Sequence, residues 1–116
     1  MQTLKREDCS VLNLTLKRKW YDMIASGEKK EEYREEKLYW DVRIRNWIDR
    51  RLCGRKTYLV VAFSLGYAKP GMFFRAHPWP IGDLYVVGYR PHPHPEWGEP
   101  DAPHYVISLG ERVVLE

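Results

Sequence analysis

Three side chains suited to handling anions and protons fall within one short run, Gly27-Glu28-Lys29-Lys30-Glu31-Glu32-Tyr33-Arg34, which spells G-x-K-x-x-E-x-R. On a strand, successive side chains alternate between faces, so Glu32 and Arg34 share one. Lys29 lies where the chain enters that strand, just past Gly27, whose permissive backbone lets the chain turn the lysine inward. Gathered in this way, Glu32 accepts hydrogen bonds from a base edge or a 2′-hydroxyl, and Lys29 meets a phosphate as a point charge. Arg34 grips a phosphate through parallel bonds or stacks on a base. The plainer use of the same charges is a cross-strand ion-pair network with Lys29 solvated. Placed for a ligand, Lys29 and Arg34 are expected to contribute little to the empty fold.

Other residues complete the candidate set. Arg18 opens the segment before the motif, and Tyr67 and Lys69 stand in the Gly66-Tyr67-Ala68-Lys69-Pro70-Gly71 loop. Glu96 and Trp97 lie in a proline-rich run at 91–103, where Trp97 offers either a stacking surface for a base or an anchor folded onto the protein. The RNA-binding set is therefore Arg18, Gly27, Lys29, Glu32, Arg34, Tyr67, Lys69 and Trp97. If the same cleft is hydrolytic, Glu32 or Glu96 is the general base and Lys29 stabilises the developing oxyanion. His92 and His94 invite a metal reading with His77 or His104, but alternating prolines favour an extended three-fold helix on which they do not share a face. No metal or cofactor is expected. No phosphate loop, dinucleotide fingerprint or Ser-His-Asp order is present to support those enzyme classes.

The elements that must position these residues follow from periodicity. Leu12, Leu14 and Leu16 alternate with Asn13 and Thr15, which predicts a strand over 11–16. Trp20, Met23 and Ile24 then fall at helical spacing, and Gly27 supplies a left-handed stop, so a helix is expected over 18–26. For 28–36, helix propensity competes with a strand. A helix there would have only Tyr33 to anchor it, so the strand is the reading taken. Trp40, Ile44, Trp47 and Ile48 form the stripe of an amphipathic helix within 38–52. Strands are expected over 57–64, 72–77, 84–89 and 104–109, the first two as a hairpin and the last ending before Gly110. Many short strands and few helices predict an α+β chain built as a small mixed β-barrel of about five to six strands with two main helices.

Composition sets the frame. The chain has 116 residues, 44% of them hydrophobic, with no linker-like stretch or internal repeat, and a single domain over 1–116 with its own core is expected. Cys9 and Cys53 are too few for a disulfide framework. Met1 is followed by a polar, charged stretch, and no apolar run is long enough to span a bilayer, so a cytoplasmic location is expected. Charge is uneven. Residues 1–56 carry fifteen Lys/Arg against ten Asp/Glu, and residues 57–116 carry four against six, which places the docking side for an anionic partner in the first half.

The G-x-K-x-x-E-x-R motif, preceded by the helix Trp20-Tyr21-Asp22-Met23-Ile24-Ala25-Ser26, resembles that of the ASCH domain, a family with a PUA-like β-barrel. The segments Gly66-Tyr67, Pro95-Glu96-Trp97-Gly98 and Tyr105-Val106-Ile107-Ser108-Leu109-Gly110-Glu111 resemble those of small stand-alone bacterial and phage members, so the likeness covers the whole chain. The resemblance implies a PUA-like fold with its ligand cleft at the motif, and RNA or a nucleotide-like ligand as partner. Some small members are hydrolases on RNA or on acylated nucleosides, so the resemblance leaves binding module and enzyme both open. In the amidohydrolase-like members the position of Glu32 carries a threonine nucleophile beside the lysine, and its absence here counts against a covalent threonine mechanism. The remaining alternative is an adaptor whose charged face binds a protein partner transiently.

Overall fold

The computed structural model describes residues 1–35, 37–76, 84–86, 95–98 and 104–116. The leucine alternation builds β2 (Cys9–Leu16), with Leu12, Leu14 and Leu16 buried and Asn13 and Thr15 exposed. β2 pairs in parallel with β4 (Tyr58–Leu65), which pairs antiparallel with β5 (Met72–Ala76) as the expected hairpin. β5 continues the sheet onto β7 (His104–Leu115), and β1 (Gln2–Leu4) adds to β7 in parallel. In β4 the adjacent Val60 and Val61 are both buried because both faces are covered. Val61 packs with Leu12, Phe63, Ile44 and Trp47, whereas Val60 packs with Leu4, Cys9 and Val113.

β7 outruns the strand expected there. Its first half lies between β3 (Glu31–Glu35) and β6 (Leu84–Val86), and its second half pairs with β5 and β1. Gly110 does not end it. Phe74 faces Arg112 and Ala76 faces Leu109, so Gly110 and Glu111 together oppose the single Arg75 in a β-bulge. A Cβ on Gly110 would sit 3.0 Å from the Arg75 carbonyl oxygen, so this glycine marks a close backbone approach inside a strand.

The two expected helices form as α1 (Arg18–Ala25) and α2 (Leu38–Leu52). Trp47 fixes α2 to β2 by reciprocal bonds. Its indole N–H donates to the Ser10 carbonyl at 2.8 Å, and the Ser10 hydroxyl donates to the Trp47 carbonyl, also at 2.8 Å. At the first turn the Tyr105 hydroxyl donates to the Asp41 carboxylate, holding α2 against β7.

A closed barrel does not form. Seven strands are present among the described residues, and the sheet path β1-β7-β5-β4-β2 ends at β2, with β3 and β6 branching from β7. Closure would require β2 and β3 to exchange backbone hydrogen bonds. Instead a side chain spans the seam, with the Arg34 guanidinium donating to the Thr15 carbonyl at 3.0 Å, which holds the two edges a side chain apart. The architecture is a small mixed α+β fold whose sheet is not closed into a barrel. Residue 77, residues 87–89 and most of the proline-rich run, including His92 and His94, lie outside the described residues. Among those described, no helix is long and apolar enough to cross a membrane.

Candidate functional site

The open seam between β2 and β3 is a cavity of about 670 Å³. β3 supplies Glu32, Tyr33 and Arg34, and the turn before it supplies Lys29. Gly27 N–H donates to the Ile24 carbonyl at 3.1 Å, and the left-handed φ of 85° at Gly27 then turns the chain back so that Lys29 N–H donates to the Met23 carbonyl at 3.0 Å. The helices bring Trp20 and Trp40, and a short 3₁₀ turn, Pro95–Trp97, brings Trp97. The loop closes directly on α1: Gly98 has φ 87°, and a Cβ there would stand 2.9 Å from the Trp20 ring.

Glu32 is the hub. It is 4% exposed, and its Oε1 accepts from Tyr33 N–H at 2.9 Å, from Lys29 Nζ at 3.3 Å and from Arg34 Nη1 at 3.3 Å. Its Oε2 is equally buried and has no hydrogen-bond donor among the described residues. Lys29 is 2% exposed, with its ammonium 4.7 Å from the Trp20 ring and 5.4 Å from the Tyr33 ring. Burial pulls its pKa below the ordinary lysine value. Glu32 opposes that shift, and the nearby Arg34 adds to it. Arg34 also donates to the Tyr33 carbonyl at 3.1 Å and lies 5.2 Å from the Trp40 ring. Burial, followed by its hydroxyl's bond to Glu31 at 2.8 Å, pushes the Tyr33 phenol far above its usual range and keeps it neutral.

Lys29 is therefore not a solvated charge. Together with the partly buried Arg34 it forms an ion-pair network on buried Glu32, so the premise that these charges sit in exposed pairs does not hold for Lys29. The network and the cavity coincide, so the structural use of these charges and their use toward a ligand occupy one place.

Of the residues singled out in the sequence, Lys29, Glu32, Arg34 and Trp97 line this cavity. Gly27 lines an adjoining hollow of about 610 Å³ on the other side of Trp97, with Lys30 and Glu31. Arg18 instead pairs with Asp22 at 3.8 Å on the exposed side of α1. Tyr67 is fully exposed and Lys69 is exposed beside it, and neither lines the cavity. Glu96 is exposed on the 3₁₀ turn and does not line the cavity, which leaves Glu32 as the better placed carboxylate for any base chemistry.

Sequence reasoning placed Trp20 and Trp40 only on helix stripes and did not single out Lys17 and Lys37, although all four line the cavity. Lys17 and Lys37 are the N-cap residues of α1 and α2, neither making a side-chain cap bond, and each tryptophan follows its lysine by three residues. The repeated K-x-x-W at two helix starts was the legible signal. A lysine where Ser, Thr, Asp or Asn would accept from the first-turn amides leaves both helix starts electropositive. Compared with family models, curated proteins and solved structures, the chain matches none.

Proposed function

We propose that the cleft binds RNA or a nucleotide-like ligand, and that the chain is a binding module of the ASCH, PUA-like type. The observation that carries this reading is Glu32 Oε2, a buried carboxylate oxygen without a donor among the described residues, on a residue that lines an open cavity. Leaving such an acceptor unsatisfied costs about 1–3 kcal/mol or more. Because Oε2 is shielded from solvent, a ligand N–H or O–H recovers that cost once the side chain turns toward the cavity. An exocyclic amine of a base or a ribose hydroxyl has that chemistry. Around it the lining carries Lys17, Lys29, Arg34 and Lys37 against Glu32 and Glu35, a balance that suits phosphate. Trp20 and Trp40, both partly exposed, offer ring surface on which bases stack, whereas Trp97 is buried against Tyr33 and Val106 as an anchor of its loop.

The test is a chemical-shift titration of the labelled protein with nucleosides, nucleotides and short RNAs. Shifts are expected to cluster at Lys29, Tyr33 and the indole N–H groups of Trp20 and Trp40. Saturating additions that move nothing there, or only peaks on another face, overturn the reading.

A hydrolase using the same cleft has one observation in its favour: the Lys29 ammonium and the Glu32 carboxylate stand 3.3 Å apart in the cavity lining. In that reading Glu32 activates water and Lys29 steadies the oxyanion. Turnover of RNA or of an acylated nucleoside that Glu32→Gln abolishes, with binding largely kept, would select it.

A further inference from the structure

The aromatic lining does not stop at the cavity mouth. Arg34, inside, lies 5.2 Å from the Trp40 ring; Trp40 meets Tyr39 edge-to-face at 4.9 Å; and the Arg43 guanidinium lies 4.3 Å over the Tyr39 ring. Three consecutive contacts thus lead from a mostly buried cation to open solvent. Tyr39 is 53% exposed and is flanked by Leu38 at 78% and Val42 at 49%, all on the first two turns of α2. These are large apolar groups that folding leaves uncovered, next to Arg43 and Arg45, both exposed.

We propose that this platform is a second subsite that holds the base of a nucleotide flanking the one in the cleft, so that the ligand is a single-stranded oligonucleotide and not an isolated nucleotide. The inference rests on the cleft reading above. It goes further in naming the ligand class and a site outside the cavity. A solvent-facing tyrosine backed by an arginine supplies a stacking face with a cation for the adjoining phosphate. The arrangement does not depend on which base stacks, because every base has a π-face. Each step along Arg34, Trp40, Tyr39 and Arg43 is on the order of one to two stacked-base spacings of ~3.4 Å, so a strand of about two to four nucleotides covers the path. Asp41, the one carboxylate in the first turn of α2, is held by the Tyr105 hydroxyl, which limits its repulsion of a phosphate there.

The experiment compares a nucleoside monophosphate with single-stranded RNAs of two and four nucleotides by calorimetric titration at one salt concentration. The proteins are the wild type, Tyr39→Ala, Tyr39→Trp and Arg43→Ala. Tyr39 and Arg43 do not line the cavity, so binding of the monophosphate should be unchanged in all four proteins. In the wild type, affinity should climb about tenfold or more from monophosphate to tetranucleotide. Tyr39→Ala should remove about 5- to 100-fold from the tetranucleotide alone, Arg43→Ala should remove less, and Tyr39→Trp should restore what Tyr39→Ala loses. Equal wild-type affinity for monomer and tetramer, or a tetramer indifferent to Tyr39→Ala, overturns the subsite and leaves the cleft standing. The apolar patch then serves another partner, such as a protein. If Tyr39→Ala weakens monomer and tetramer alike, its role is structural and the subsite also falls. If the wild type binds neither ligand, the cleft reading itself fails.

Discussion

Three donors converge on one oxygen of Glu32 while the other stays buried without one among the described residues, and that asymmetry decides what substitutions at the motif should do. Removing Lys29 takes a charged donor from a buried carboxylate that retains Arg34 and the Tyr33 amide. Lys29→Met is therefore expected to lower the unfolding free energy by about 1–3 kcal/mol in urea titration, and a variant as stable as the wild type would mean the pair is idle. A double-mutant cycle with Glu32→Gln should show coupling of about 0.5–3 kcal/mol. Burial also gives Lys29 a pH signature. Its folded pKa is lowered from 10.5, so between that lowered value and 10.5 the unfolded chain holds the proton more tightly than the folded one. Stability then rises with pH across that window, the burial penalty being fully present below it. Urea midpoints should rise with pH more steeply in the wild type than in Lys29→Met. The readings should stop below about pH 10, where ionisation of Tyr33 in the unfolded chain begins to act in the opposite sense.

At the scale of elements, the site exists because a glycine turn delivers Lys29 and a side-chain bridge replaces a ladder. Gly27 has open space where a Cβ would go, but its φ of 85° is left-handed, so Gly27→Ala should cost about 1–2 kcal/mol through backbone strain alone. Thermal melts would show the loss, and Gly27→Asn, better tolerated in that conformation, should cost less. The elements themselves were largely legible. Leucine alternation found β2, the tryptophan and isoleucine stripe found α2, and the lack of apolar anchors in the charged run correctly favoured β3 over a helix. Gly110 misled, because a glycine that ends a strand and a glycine at a bulge look alike until the opposing Arg75 carbonyl is seen. β1 was missed because Gln2–Leu4 carries one buried residue and so shows no period. The closed barrel failed for a reason that local pattern does not encode: whether two distant edges meet depends on the side chains between them. At the site, the motif spacing marked Lys29, Glu32 and Arg34, whereas Tyr67 and Lys69 were chosen for residue type on a loop whose direction the sequence does not give.

Across the whole molecule, four cations of the basic half line the open seam, Lys17, Lys29, Arg34 and Lys37, the middle two of them paired with Glu32. Lys17 and Lys37 stand at the starts of the two helices there, and Arg43 of α2 lies beyond the rim over Tyr39. A polyanion bound in this way releases condensed counterions, so RNA affinity should fall as salt rises. The logarithmic slope should be about −1.4 to −2.8 if about two to four phosphates are neutralised. Lys17 and Lys37 are exposed, so replacing either leaves the core and the Glu32 network untouched. The most direct test is therefore a titration of the intrinsic tryptophan fluorescence with a short single-stranded RNA at several salt concentrations, for the wild type, Lys17→Ala and Lys37→Ala. Saturable quenching is predicted from the tryptophans of the cleft, with weaker binding in each variant and a salt slope shallower by about 0.7 per lysine removed. An absence of saturable quenching, or an affinity indifferent to salt and to both substitutions, would contradict a nucleotide-binding cleft.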